Sequence, residues 1–291
     1  MRSLRSILWS VVIFSCGATA GFAQSGNPTV DPSLGVQNQG NFKAGESVAA
    51  GSFVAVFGTN FASSLTLADS IPLSNSLANV SVTFNGVQAP MVAVGHNVNA
   101  AGDDQINAQV PWEVQPGVAQ VVVTRSGAMS PAANVSIISV APGLMIVGMD
   151  STGVLRPVVY HNSDSNLAYP ANAFPGGAPA RPASLSDPND TLVLLATGLG
   201  ALNTTPPDGA PPPLVNGQFV ADNTKETPNI TVGGVPVTIL FSGASPQYPS
   251  LYQVNFKLGA GTPTGGAVPV VIKSPSTGLQ SRSDLMIAVT N

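Results

Sequence analysis

The sequence predicts an all-β chain made of two tandem β-sandwich domains related by internal duplication. Four blocks of the first half recur in the same order in the second half, with offsets of 139, 148 and 149 positions for three of them. The block pairs are 53–60 with 192–199, 80–87 with 230–235, 105–110 with 253–258, and 121–124 with 270–273. An ordered series at nearly constant spacing is typical of a repeated structural unit.

Composition agrees with short strands joined by many turns. The 291 residues leave room for two domains. With 30 glycines and 26 prolines, tight turns are expected throughout, and no segment has the capped, amphipathic pattern of a helix. The net charge of −4 argues against nucleic acid as a partner, because phosphate binding needs clustered basic residues.

Residues 1–23 are predicted to be a secretory signal peptide. Arg2 and Arg5 precede a short apolar run at 7–14, and small residues follow. Cleavage is expected after Ala20 or Ala23, and the second site is favoured. The alternative is an uncleaved N-terminal anchor, but the apolar run is shorter than a spanning helix requires, and no later segment is predicted to span a membrane.

Cys16 is the single cysteine of the chain and lies within the predicted leader. The mature domains are therefore expected to have no disulfide. Lipidation of Cys16 is an alternative to simple cleavage, although Phe14 is bulky for a lipobox.

The first predicted domain covers 43–141, preceded by an arm and first strand at 24–42. Val80, Val82 and Phe84 alternate with polar residues, which indicates a half-buried strand. Asn85-Gly86 then favours a type I′ turn, with the chain returning through 87–94 as a hairpin.

The second predicted domain covers 142–291 and repeats this logic, with Gly233-Gly234 at the turn. Two long irregular loops are expected, at 162–190 and 203–226, and loops of that length are commonly functional. About seven short strands per unit, separated by turn signals, are typical of an immunoglobulin-like sandwich.

Several blocks resemble a known family. They are Phe-Gly-Thr-Asn-Phe-Ala at 57–62, Gln-Ile-Asn-Ala-Gln-Val-Pro-Trp-Glu-Val at 105–114, Ala-Thr-Gly-Leu-Gly at 196–200 and Leu-Tyr-Gln-Val-Asn at 251–255. Across about 28–291 the chain resembles the uncharacterised C-terminal domain family of Solibacter and related Acidobacteria, and each half resembles an IPT/TIG-type module. The resemblance implies export and an accessory role, and it supplies no catalytic residues.

Few residues suggest catalysis or metal binding. His96 and His161 fall in different predicted domains without metal-ligand spacing, and no Gly-x-Ser-x-Gly elbow is present. Asp103, Asp104 and Glu113 form the densest acidic group. Calcium binding is one interpretation of that group, and a solvated turn is the favoured one. We predict no catalytic residue, no metal site and no cofactor.

Amides and aromatics are the candidate contact residues. Gln105 and Asn107 share one strand face, either as a recognition strip or as amides that secure neighbouring loops. Trp112, Tyr248 and Tyr252 are candidates for stacking on a sugar or contacting a partner.

The sequence as a whole favours an exported, non-catalytic module for adhesion, surface assembly or protein–protein interaction. Its expected partner is an extracellular protein or an envelope polysaccharide, contacted through the two long loops and the region of Trp112. A carbohydrate-binding module is the first alternative, and an unrecognised extracellular hydrolase is the second.

Overall fold

The computed structural model describes residues 26–291, and every regular element in that range is a β-strand. The all-β prediction is confirmed. The predicted signal peptide at 1–23, including Cys16, lies outside the described residues. No helix within 26–291 has the length and apolarity needed to cross a membrane.

The first half forms two sheets that enclose one core. Its strands are β1 (Thr29–Val30), β2 (Val36–Asn38), β3 (Val48–Ala49), β4 (Phe53–Thr59), β5 (Thr66–Leu67), β6 (Val80–Phe84), β7 (Val87–Gln88), β8 (Met91–Gly95), β9 (Asp104–Gln109), β10 (Gly117–Arg125), β11 (Ala128–Met129) and β12 (Ala133–Ile138). One sheet has the order β1-β4-β9-β8-β5 with β2 also on β4, and the other has β3-β12-β10-β6-β7 with β11 on β10. Val54 and Ile106 from the first sheet share a buried cluster with Val82 and Val121 from the second.

The second half is built in the same way. Its strands are β13 (Gly143–Leu144), β14 (Ile146–Met149), β15 (Leu155–Pro157), β16 (Val159–His161), β17 (Ala183–Ser184), β18 (Leu192–Thr197), β19 (Leu214–Val215), β20 (Gln218–Phe219), β21 (Asn229–Val232), β22 (Val235–Pro236), β23 (Thr238–Ala244), β24 (Tyr252–Lys257), β25 (Gly265–Lys273) and β26 (Met286–Thr290). The main sheets are β13-β18-β24-β23, with β16 on β18, and β17-β26-β25-β21-β22, while β14-β15 and β19-β20 form separate pairs.

The two halves share their central strand order. β4-β9-β8 corresponds to β18-β24-β23, and β12-β10-β6-β7 corresponds to β26-β25-β21-β22. A short parallel strand joins each second sheet at the same place, β3 on β12 and β17 on β26. A duplicated unit requires this agreement, and a common origin of the halves remains our proposal.

The predicted turn after β6 is present, but the returning strand is shorter than expected. Asn85 and Gly86 have φ angles of 50° and 82°, which connect β6 to β7 in a tight hairpin. The chain then leaves this sheet at Ala89 and Pro90, and β8 pairs with β9 in the opposite sheet. Proline cannot donate a ladder hydrogen bond, so it ends the pairing and lets the strand change sheets.

The described part of the predicted arm and first strand, 26–42, pairs with the first sandwich. Both β1 and β2 pair with β4. Asn38, at the end of β2, also donates from Nδ2 to the Ala141 carbonyl over 2.7 Å. The arm therefore completes one sheet and reaches the boundary between the halves.

The halves pack directly against each other. The Phe53 N–H donates to Thr197 Oγ1 over 2.6 Å, and both residues are buried. The Phe53 ring shares an apolar cluster with Met145, Leu195 and Leu251 of the second half. This junction positions the candidate functional site.

Candidate functional site

Trp112 lies at the junction, just after β9 and Pro111. Its half-buried ring packs against the core cluster of the second half. Gly51 lies under the ring, where a Cβ atom would stand 2.2 Å from Trp112 Cη2. Within the described residues, the buried Trp112 Nε1 has no hydrogen-bond partner. The tryptophan thus fills the seam between the halves.

A proline-rich segment from the second half crosses this seam, and we call residues 206–213 the strap. The Trp112 N–H donates to Asp208 Oδ1 over 3.1 Å. Gly209 N–H donates to Gln109 Oε1 over 2.7 Å, and its carbonyl accepts from Leu73 N–H over 2.8 Å. Three hydrogen bonds therefore dock the strap on the first half.

The docking is tight at Gly209. Its φ angle of 72° lies in the left-handed region, and a Cβ atom there would stand 3.0 Å from the Leu73 carbonyl oxygen and 3.0 Å from Pro90 Cβ. Glycine supplies both the backbone conformation and the close approach.

The three candidate aromatics line one cavity beneath the strap. Trp112, Tyr248 and Tyr252 form its walls with apolar residues and with Pro206, Pro211 and Pro212, and its free space of about 10 Å³ is that of one water molecule. Tyr252 belongs to the core, and its hydroxyl donates to the Gly200 carbonyl. The rings therefore do not form an exposed platform for a sugar.

The amides Gln105 and Asn107 are buried in β9 rather than exposed as a recognition strip. Gln105 Nε2 donates to Asn107 Oδ1 over 2.5 Å. In β24 the corresponding Gln253 donates to Asn255 over 2.9 Å. In each strand the two amides hydrogen-bond to each other, because alternate residues of a strand lie on the same face. We had considered hydrogen bonds to neighbouring loops instead.

The acidic residues at 103, 104 and 113 do not converge. Asp104 is fully buried, accepts from the Phe61 N–H over 2.7 Å, and lies 2.6 Å from His96 Nδ1. Asp103 instead accepts from Asn99 Nδ2 over 2.9 Å. Across 26–291, no three His, Cys, Asp or Glu side chains are grouped so that they would hold a metal ion.

His161 is also paired with a carboxylate, deep in the second half. Its Nδ1 lies 2.6 Å from Asp190 Oδ1, and its Nε2 lies 3.0 Å from the Arg181 carbonyl oxygen. Burial raises the pKa of Asp190, but hydrogen bonds from His161 and Ser184 outweigh that effect and hold it below its usual range. Both ring nitrogens are engaged, so this histidine is placed as a structural residue.

One buried ion pair was not predicted from the sequence. Arg156 on β15 is 1% exposed, and its Nε and Nη2 lie 2.8 and 2.7 Å from Asp150 Oδ2. Its Nη1 donates to the carbonyls of Gly266 and Met286 over 2.9 and 3.1 Å, and its guanidinium lies 5.5 Å from the Tyr169 ring centroid. An Asp six residues before an Arg gives no sequence signal that distinguishes this pair from surface charges.

Tyr169 shows that the loop at 162–190 is partly structural. This side chain is fully buried, and its hydroxyl donates to the Pro157 carbonyl. Its ring packs against Phe174 with centroids 5.9 Å apart. We had expected the whole loop to be available for a partner, and its central part instead packs into the sandwich.

The loop at 203–226, which we expected to be irregular, contains an exposed apolar hairpin. β19 and β20 pair with each other and with no other named strand of the described chain, joined by Asn216 and Gly217 at φ angles of 51° and 73°. Four large apolar side chains of the hairpin are exposed: Leu214 at 62%, Val215 at 53%, Phe219 at 37% and Val220 at 52%. The Asn-Gly dipeptide between apolar pairs was the signal that would have predicted it.

Comparisons with known proteins add similar structures but no relative in sequence. No protein-family model and no curated protein matches the chain. Similar solved structures include the surface protein SGBP-B of the Bacteroides ovatus mixed-linkage glucan utilization locus, in complex with a mixed-linkage heptasaccharide (12% identity, 84% of this chain, 42% of that one, TM-score 0.30). Others are domains 5–6 of the S-layer protein SbsC (14%, 91% and 99%, 0.24) and the Yersinia pseudotuberculosis adhesin InvE (14%, 90% and 60%, 0.24). The chain thus spans less than half of the first structure, and at TM-scores below 0.5 these likenesses carry no argument.

Proposed function

We propose that this chain is an exported, non-catalytic β-sandwich module that binds an extracellular or envelope protein, in adhesion, surface assembly or another protein–protein interaction. The observation that carries the proposal is the apolar hairpin formed by β19 and β20. An isolated two-stranded hairpin is marginally stable in water, and contiguous exposed apolar surface is uncommon on monomeric proteins.

The hairpin is suited to contact with another protein. It carries no charged residue between Asp208 and Asp222, so a partner would desolvate little charge on covering it. Both of its strands also keep a free edge, since they pair only with each other among the named strands of 26–291. Free edges are sites at which a partner strand adds main-chain hydrogen bonds.

The test is equilibrium binding of mature protein, residues 24–291, to washed envelope from the source organism. The double variant Leu214→Ser/Phe219→Ser should bind about tenfold or more weakly, because the few central residues that dominate an interface each cost more than about 1 kcal/mol when truncated, and the proposal places these two side chains among them. The matched control is Val118→Ser/Met129→Ser, which removes two side chains that are 68% and 62% exposed in the first half. Equal loss in both variants, or no binding by wild type, would contradict the proposal.

Carbohydrate binding is the alternative, and the walls of the junction cavity favour it in one respect: Trp112 and Tyr248 lie there together. The space for a single water does not admit a pyranose ring in this conformation. Competition of the envelope binding by a soluble polysaccharide, together with its loss in Tyr248→Ala, would support this alternative over the hairpin.

A hydrolase is the third hypothesis. Mature protein should show no turnover of esterase, glycosidase or peptidase substrates, with or without Ca²⁺ or Zn²⁺. Activity abolished in His96→Gln would overturn the non-catalytic assignment, since His96 is the histidine whose side chain retains some exposure.

Export and family membership are part of the same proposal. N-terminal sequencing of the protein from periplasm or medium should begin at Gln24. Intact Met1 on cytoplasmic protein would contradict export, and with it the accessory role that the Solibacter/Acidobacteria family resemblance implies.

A further inference from the structure

The outer edge of β23 corresponds to the outer edge of β8 in the first half. Each of these strands pairs with the strand that carries the repeated amides, β24 and β9. Each also has a register shift at the same place, between 239 and 241 in β23 and between 91 and 93 in β8. The residues skipped by the two ladders, Leu240 and Val92, are therefore structural equivalents.

In the first half this edge is covered up to and including the bulge. Leu67 of β5 pairs with Ala93 of β8, and the Ala68 N–H then donates to the Val92 carbonyl over 2.8 Å. The Val92 side chain packs against the apolar cluster that contains Phe53. Main-chain hydrogen bonds and apolar contacts thus both protect the edge.

In the second half the covering segment leaves the edge earlier. The Thr224 N–H donates to the Ser242 carbonyl over 2.9 Å. Two residues later Glu226 has turned toward the end of β25, where its carboxylate accepts from Ser274 Oγ over 2.6 Å. In the described chain, no backbone hydrogen bond from a covering segment reaches 238–241. This part of β23 is a free strand edge.

We propose that the edge of β23 at 238–241 is a docking site for an extended peptide strand of a partner protein, which pairs antiparallel and donates an N–H to the Leu240 carbonyl. The first half identifies this occupant, because the equivalent Val92 carbonyl accepts from a strand of that kind. Leu240 is 53% exposed, so the strand should also bring an apolar side chain to cover it. Free strand edges commonly bind extended peptides in this way. The site is separate from the hairpin and does not depend on the proposed function.

The bulge at Leu240 is compatible with strand addition. Bulges often protect a free edge, because they twist it and interrupt its ladder. The first half nevertheless has the bulge at the same position and accepts the Ala68 N–H there. Exposure separates the two edges, since Pro90 is buried and the equivalent Thr238 is exposed. The edge of β23 therefore has the geometry of a paired edge and the exposure of a free one.

The strand that covers the first-half edge provides a probe. A synthetic peptide of residues 63–70, Ser-Ser-Leu-Thr-Leu-Ala-Asp-Ser, is made with Ala68→Cys. It is mixed with mature protein, residues 24–291, that carries Leu240→Cys. Cys16 is the single cysteine of the chain, so the mature protein has no competing thiol.

Gln120→Cys is the matched control for the position of the thiol. Gln120 is exposed and lies on β10, where it pairs with Asn134 on one side. On its other side the N–H donates to Asn85 Oδ1 and the carbonyl accepts from the Asn85 N–H, each over 2.8 Å. An added strand therefore has no free backbone group to bond at this position.

The disulfide between peptide and protein is measured at equilibrium in a glutathione redox buffer. Its equilibrium constant should be about tenfold larger for Leu240→Cys than for Gln120→Cys, because a docked strand raises the local thiol concentration. Methylating the backbone nitrogen of residue 68 removes the donor and should lower the Leu240→Cys constant about fivefold. Adding Leu214→Ser/Phe219→Ser should change neither value, because the hairpin is a different site.

Equal constants at the two positions would overturn the proposal. A Leu240→Cys constant that is indifferent to backbone methylation would also overturn it, because the thiols would then meet without strand pairing. If circular dichroism shows that Leu240→Cys does not fold, Thr238→Cys with Ser70→Cys in the peptide replaces it, under the same two criteria.

Discussion

Replacing Arg156 with methionine should destabilise the second half strongly. Methionine keeps much of the side-chain length but removes the charge that faces the buried Asp150 carboxylate at 2.7 Å. The carboxylate would keep its bonds from Thr152 and Val154 and lose both guanidinium contacts. Breaking a buried ion pair by removing one partner costs about 3–5 kcal/mol, and the carbonyls of β25 and β26 would lose a donor as well.

Urea unfolding at pH 7 measures this effect, and the double variant Asp150→Asn/Arg156→Met is its control. Removing both charges avoids an unpaired buried carboxylate, so the double variant should be more stable than Arg156→Met alone. A loss below about 1 kcal/mol for Arg156→Met would refute the reasoning. So would a double variant less stable than the single one.

The pH dependence of this loss has a definite sign. Burial raises the pKa of Asp150, but hydrogen bonds from Thr152, Val154 and Arg156 outweigh burial and hold it well below its usual range. The pair therefore contributes stability above the unfolded pKa near 3.8, and that contribution is lost as pH falls below it. The difference between wild type and Arg156→Met should shrink as unfolding is measured from pH 7 down to pH 3.

Two further substitutions test the packing. Val82→Ala and Val232→Ala each empty a fully buried position and should cost about 1–3 kcal/mol in urea unfolding through lost burial and a residual cavity. Ser81→Ala, on the opposite face of β6, should cost much less, and a reversed ranking would mean that the inward face is misassigned. Gly51→Ala should displace the Trp112 ring, because the added Cβ overlaps it, and the emission maximum of Trp112 should shift toward the red. An unchanged spectrum in a stable variant would contradict the contact.

Local patterns predicted the strands well because they depend on neighbouring residues. The period of two in β6 and the Asn85-Gly86 turn are set by side-chain alternation and backbone conformation. The change of sheet at Pro90 was missed, although proline gave a signal for it. The apolar pattern continues through 87–94, so the sequence does not show that the chain leaves one sheet after β7 and joins the opposite sheet at β8.

The candidate site was harder to predict because it depends on contacts between distant residues. Trp112 and Asp208 are 96 positions apart, and the docking of the strap has no local pattern in the sequence. The buried amides of β9 were identified as a repeated pair, but periodicity does not say whether a polar face meets solvent or a covering segment. The burial of Arg156 was also missed, because an arginine is usually found at the surface.

Site-specific photocrosslinking at the hairpin tests the central claim most directly. A photoreactive phenylalanine analogue at Phe219 keeps the aromatic shape, and the same analogue at Val118 provides a reference in the first half that is more exposed, at 68% against 37%. The account predicts that irradiation on native envelope links the Phe219 position to one defined protein band, and that this band is missing for the Val118 position. Equal crosslinking at both positions, or crosslinking at Val118 alone, would contradict a hairpin that binds a partner.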